Sequence, residues 1–220
     1  MPVRSRPTNI LTVRVEGTAL STPDLHHAID EVAWARLFHA YGPALDTPGH
    51  LHNLVDGRQL PDAAWHFESA IVHQSTLWSA SPDAFRLLGR VMRERELPAD
   101  IVDRFLDTLT EATDNFDRPI QTPTAGEVEA ALNAWENDLA TARDARDDGT
   151  IKKGRNPKEP DQRAYEAFLH RQPEAWDLIR YANSGVRRLK QEVLALIDEL
   201  KARGAGSPPV VAEAREAWGG

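Results

Sequence analysis

At 220 residues and 24.5 kDa the chain has room for one large domain or two small ones, and its 41% hydrophobic and 27% charged residues are the balance of a soluble globular protein. It has no cysteine, which excludes disulfides, thiolate catalysis and Cys-ligated zinc, and a reducing cytoplasm is the expected setting. The net charge of −8 is uneven: residues 25–115 carry 14 acids and 7 bases, 116–148 carry 8 and 3, and 149–220 carry 10 and 13. An acidic body disfavours phosphate backbones, whose binding runs on Lys and Arg, so nucleic acid is not the expected partner and a basic protein is. No apolar run approaches the roughly 18 residues of a spanning helix, so no membrane association is expected. The opening MPVRSRPTNILTVRVEG lacks the long apolar stretch and small-residue cleavage site of a signal peptide. Of the 26 basic residues 21 are Arg, as in the products of GC-rich bacterial genomes.

Residues 1–24 read as an irregular arm, in which Asn9–Gly17 alternates weakly and could form one short strand. From Asp30 a helical period takes over. Asp30 can cap a helix through Tyr41, with Gly42 and Pro43 as its stop. Thr47 and Pro48 give an N-cap and first-turn proline for a short helix ending at Gly57. Pro61 opens a helix to Gln74. Ser81 and Pro82 repeat the cap-plus-proline signal ahead of Phe85, Leu88, Val91 and Met92. Pro98 opens another helix, whose Ile101, Val102, Phe105, Leu106 and Leu109 form a one-sided stripe.

The later helices are longer. Thr124 and Glu127 have the spacing of a capping box. Val128, Leu132, Trp135, Leu139 and Ala142 follow at alternating four- and three-residue steps, a seam for packing on another helix. Residues 149–160, with Gly149, Gly154, Pro157 and Pro160, read as a basic flexible linker. Residues 161–204 read as long C-terminal helices carrying Tyr165, Phe168, Trp176, Val186, Leu189, Val193, Leu196 and Leu200, closed by Gly204. Residues 205–220 read as a mobile tail, with one helical turn at most, ending at Trp218.

The expected fold is therefore all-α, built of antiparallel helix pairs: a module over 25–116, a long helix over 117–148, the linker, and the C-terminal helices. The helices at 124–145 and 174–203 are expected to meet through their seams, in a helical hairpin or across a homodimer. No internal repeat of one fixed period is evident.

Seven of the eight histidines lie between 26 and 73, which raises a metal or acid/base site. His50 and His52 are two apart and point to different faces of a helix. His66, Ser69 and His73 would share one helical face beside Glu68, making His66 and His73 the candidate metal ligands. The competing reading puts His39 and His73 at helix ends, bonded to terminal carbonyls. Trp34, Tyr41, Trp65 and Trp78 are core by default, and Trp78, placed in a turn, is the candidate exposed anchor. Lys152, Lys153, Arg155 and Lys158 have no interleaved aromatic residues and read as a solvated linker rather than a nucleic-acid site. No nucleophile elbow, P-loop, HExxH or dinucleotide fingerprint is present, so no catalytic residue and no cofactor is assigned.

The stretch from Trp34 through His39, Tyr41, Gly42 and Pro43 to Asp46, Thr47 and Pro48, followed by His73-Gln74-Ser75-Thr76, resembles the opening of a group of bacterial HEAT-repeat-like proteins. The resemblance covers residues 30–115, with Ser75 where that group has glycine. It implies a HEAT-like α-solenoid module that binds a protein on a concave face of stacked helices. The function expected from all of this is non-enzymatic protein binding. Its sharpest form is an immunity or antitoxin-like inhibitor of a basic protein, with Trp78, His66, Glu68, Ser69 and His73 at the contact surface. The alternative is a small enzyme or a metal- or ligand-binding protein using the histidine-rich helices over 39–73.

Overall fold

Prolines mark most of the helix starts in the computed structural model, which describes residues 22–114, 116, 121–147, 160–171 and 173–219. The chain runs α1 (Thr22–Asp30), a 3-10 turn (Trp34–Arg36), β1 (Phe38–His39), β2 (Gly42–Pro43), α2 (Thr47–Asp56) and α3 (Leu60–His66). A π-helical turn (Phe67–Ile71) continues α3 into β3 (Val72–His73), β4 (Thr76–Leu77), α4 (Ser81–Glu94) and α5 (Ala99–Glu111). Then come α6 (Ala125–Asp147), α7 (Pro160–Leu169), α8 (Glu174–Arg188), α9 (Lys190–Arg203) and α10 (Pro208–Gly219). The all-α expectation holds. Strand is confined, among the described residues, to four two-residue pieces in two hairpins. No helix of the described residues is long and apolar enough to cross a membrane.

The two hairpins repeat one design. β1 pairs with β2 through Phe38↔Pro43 and His39↔Gly42, and β3 with β4 through Val72↔Leu77 and His73↔Thr76, each residue 34 positions after its counterpart. The same offset carries Thr47-Pro48 onto Ser81-Pro82 at the starts of α2 and α4. It also carries buried Leu51 and Leu54 onto buried Phe85 and Leu88. Helix, hairpin, helix is thus built twice, as α1-β1-β2-α2 and α3-β3-β4-α4. The period is hidden from sequence because only a few of the paired residues are identical.

The first hairpin displaces the helix expected from Asp30 to Tyr41. Asp30 ends α1 instead of capping a new helix, and Trp34 Nε1 donates to the Ile29 carbonyl at 2.8 Å, holding that end. The second hairpin turns on Gln74 and Ser75, both left-handed at φ 49° and 57°. Two successive positive φ values are the demand of the tight hairpin turn that favours Asn-Gly. Ser75 meets the demand without being glycine, and α5 holds it there: Ser75 N donates to Glu111 Oε1 at 2.7 Å and Ser75 Oγ to Asp114 Oδ2 at 2.6 Å.

Two apolar clusters form the interior. The larger gathers α1–α5 with α8, α9 and α10, from Leu25 and Leu51 through Phe67, Phe105 and Val186 to Leu200 and Trp218. The second is aromatic: Trp135 of α6 with Tyr165 and Phe168 of α7, Leu178 of α8, and Phe38 of β1. Phe38 is fully buried, its ring 5.7 Å from Trp135, 5.7 Å from Tyr165 and 5.5 Å from Phe168. Arg36 adds a polar clamp on the same side, Nε donating to Glu136 Oε1 at 2.7 Å and Nη2 to Glu129 Oε1 at 3.1 Å.

The seam on α6 works as spaced, with Leu132, Trp135 and Leu139 buried against α7 and against α8, the first half of its expected partner over 174–203. The segment 174–203 is two helices, broken at Leu189, and α9 packs on α4, α8 and α10. The tail is a docked helix: α10 lies on α5 and α9, and Trp218 is fully buried, donating Nε1–H to the Leu109 carbonyl at 2.9 Å. The expected strand at Asn9–Gly17 and nearly all of the linker over 149–160 lie outside the described residues.

Candidate functional site

The histidines fall into two groups on opposite sides of α2. His50 and His52, two residues apart, do point to different faces, and each stacks on another imidazole. His52 lies on His26 of α1, with ring centroids 4.7 Å apart. Its Nε2 donates to Asp30 Oδ1 at 2.9 Å, and His26 Nε2 donates to Asp56 Oδ1 at 3.0 Å. The two Nδ1 atoms face each other at 2.5 Å. This chain of four side chains ties α1 to α2.

The other group is more buried. His50 stacks on His66 at the end of α3, with centroids 4.2 Å apart and planes 13° from parallel. His66 Nε2 is 3.0 Å from Thr47 Oγ1, and His66 Nδ1 is 3.9 Å from Asp46 Oδ2. His39 of β1 is 2.9 Å from Asp46 Oδ1 through Nε2. Burial drives the His66 imidazole down to about 3, against the pull of Asp46. Burial also lowers His50, opposed by Asp46 and Asp62. For Asp46 burial works against ionisation, but the His39 hydrogen bond and the neighbouring imidazoles outweigh it and bring the carboxyl down to about 2.

His39, Asp46 and His66 are the one group of the described residues whose potential ligand atoms come close enough for a metal ion, within 4.8 Å of one another. The tautomer of His39 argues against that use. The Tyr41 backbone N–H donates to His39 Nδ1 at 3.1 Å, which puts the ring proton on Nε2, where it serves Asp46. A metal at Nε2 would have to displace that proton while Nδ1 still faced an N–H, which leaves an imidazolate. The residues as arranged suit a fixed carboxylate better than a bound metal ion.

Several expected site residues fall elsewhere. His73 is in β3, because Val72 turns extended at φ −121° and ψ 118°, so the helical face shared by His66, Ser69 and His73 does not form. For the same reason neither His39 nor His73 ends a helix; both are strand residues. Glu68 is spent on Arg104 of α5 through two bonds of 2.6 Å, and Ser69 Oγ donates to the Trp65 carbonyl at 2.7 Å. Trp78 is half-buried against the aromatic cluster, 6.1 Å from Phe38 and 6.0 Å from Tyr165, and is not an exposed anchor. Trp34 is core, as expected, but Tyr41 and Trp65 are 53% and 61% exposed. With Leu45, they place three of the four exposed large apolar side chains of the described residues between positions 41 and 65. The sequence carried no sign of this, since tryptophan and tyrosine at helical spacing default to the interior.

Tyr41 is held as well as exposed: its ring meets His39 at 6.2 Å and His73 at 5.4 Å, both edge-on. The carboxylate of Asp46, 57% exposed, is bonded to the same His39 ring. Two shallow depressions lie elsewhere among the described residues. One of about 460 Å³ sits between α9 and α10 at Lys201, Val211 and Arg215, and one of about 10 Å³ lies at Phe85, Leu189 and Leu196. Compared with known proteins, the chain matches no family model, no curated protein and no solved structure.

Proposed function

We propose that the protein is a non-enzymatic binding module whose first helix–hairpin–helix unit receives a basic protein partner. The observation that carries this reading is the exposure of Tyr41, Leu45 and Trp65 within one short stretch of chain that also holds the exposed Asp46 carboxylate. Single exposed apolar residues are ordinary, but aromatic residues grouped at an acidic rim are the composition of interface anchors. The net charge of −7 over residues 25–115 steers a basic partner toward the same unit and makes association sensitive to salt. An immunity or antitoxin-like inhibitor is the form of this function that best suits a small acidic helical protein, and a HEAT-like module is its proposed ancestry.

The test is affinity capture from a lysate of the source organism at low and high salt, with captured proteins identified by mass spectrometry. A protein of high isoelectric point should be retained at low salt and lost at high salt. It should be lost also from Trp65→Ala and Tyr41→Ala, and kept by Trp176→Ala, whose ring is equally exposed on α8. Capture of nucleic acid, or of nothing at either salt, overturns the reading.

A further inference from the structure

We infer that the Asp46 corner is a receptor for an arginine side chain of the partner, with the carboxylate taking the guanidinium and the Tyr41 ring lying under it. This rests on the binding reading above and gives the partner's contact its chemistry. Three features of the corner converge on it. First, Asp46 carries a charge with a fixed orientation. His39 Nε2 donates to Oδ1 at 2.9 Å, and the ring of His39 is itself set by the Tyr41 N–H at 3.1 Å, while Oδ2 stands 3.9 Å from His66 Nδ1. Second, no lysine or arginine among the described residues pairs with that charge. Other acids nearby in the chain have such partners: Asp56 has Arg58, and Glu68 has Arg104. Third, the aromatic faces are at hand. Tyr41 is braced by His39 and His73. Trp65 shares a face of α3 with Asp62, one turn away, and Asp62 acts on His50 in the same cluster.

Arginine fits this arrangement better than lysine. A guanidinium is planar and weakly hydrated, so it can stack on an aromatic ring while its N–H groups donate in plane to a carboxylate. An ammonium must give up a tightly held water shell to touch the ring. A pre-oriented carboxylate also spares the side-chain ordering that binding otherwise costs.

The probes are fluorescein-labelled hexa-arginine and hexa-lysine, titrated with the full chain by fluorescence anisotropy at physiological salt. Hexa-arginine should bind about fivefold or more tighter than hexa-lysine. Asp46→Asn keeps an oxygen for His39 and removes the charge, and it should weaken hexa-arginine by about tenfold. Tyr41→Ala should weaken it about threefold or more, and Trp176→Ala should leave it within about twofold. Equal affinity for the two peptides, or no binding, overturns the inference, as does hexa-arginine binding that ignores Tyr41→Ala. Should Asp46→Asn fail to fold by circular dichroism, Tyr41→Ala in an exposed turn decides alone. If a basic protein is still captured by the wild type while the peptides are not distinguished, the arginine assignment falls and the binding reading stands.

Discussion

Gly185 of α8 sits directly against Pro82 of α4. A Cβ placed on the glycine would lie 2.7 Å from Pro82 Cγ and 3.0 Å from Pro82 Cβ, closer than carbon atoms approach. Both elements are fixed from other sides, α4 by the larger core and α8 by both cores. Gly185→Ala should therefore destabilise the protein by about 1–3 kcal/mol, although alanine is the better helix former. A lowered urea midpoint with an unchanged slope is the expected result. A gain in stability would mean that α4 and α8 are further apart.

Acid should weaken the fold through His66 before it reaches the carboxylates. The folded-state value of His66 is lowered from 6.5 to about 3, so between those limits the unfolded chain takes up a proton that the folded chain refuses. Stability then falls as pH drops below 6.5, by at most roughly 1.4 kcal/mol per pH unit for one such group. Asp46 adds to the loss lower down, between its ordinary 3.8 and about 2, where the unfolded chain again binds the proton first. Urea midpoints at pH 7, 5.5 and 4 should decline in wild type and decline less in His66→Gln.

The second hairpin holds an identifiable strain. Gln74 is exposed, and its φ of 49° is in the left-handed region, which costs a side chain with a Cβ roughly 1–2 kcal/mol. Gln74→Gly should raise stability by about 0.5–1 kcal/mol after the entropy of the new glycine is counted. The melting temperature should rise by a few degrees. A fall would show that the turn is held by a contact of the glutamine side chain.

Trp218 closes the larger core from α10. Its ring meets Phe116 edge-on at 5.2 Å, and its Nε1–H is bonded to the Leu109 carbonyl. Trp218→Ala should cost about 3–5 kcal/mol, the range for an aromatic residue lost from a packed interior. It should also expose the last turns of α5 to amide exchange, which is the measurement that separates a docked helix from a loose one.

Much of the helical plan was legible because it is written in local chemistry. Pro48 and Pro82 sit in the first turns of α2 and α4 as read, although Thr47 and Ser81 are not their caps: the N-caps are Asp46 and Ala80, and the hydroxyls bond His66 and the Ile71 carbonyl. Gly57 and Gly204 close α2 and α9 with left-handed caps at φ 69° and 66°. The capping box is as read: Glu127 N donates to Thr124 Oγ1 at 3.2 Å, and Thr124 N donates to Glu127 Oε2 at 2.6 Å. The stripe on α5 is buried at all five of its apolar positions. The hairpins were not legible, since two-residue strands are too short to show alternation. Their turn residues, Ala40-Tyr41 and Gln74-Ser75, are also not those that advertise a turn. The His39–Asp46 pair was missed for a related reason: the two are neighbours only once the hairpin has folded back. Trp78 and Trp65 exchanged places because burial here is decided by α7, which packs over Trp78 from far along the chain.

The placement of Phe38 has a consequence for how this molecule can be divided. By chain position it belongs to the first repeated unit, yet its ring completes the aromatic cluster of α6, α7 and α8. A boundary drawn along the chain and one drawn through space do not coincide. A transplanted first unit would carry an exposed phenylalanine, and the helices left behind would have a socket facing water. Each piece would be insoluble or unstable for want of the other, while the two mixed together should recombine. The protein would therefore have to be engineered as an undivided whole.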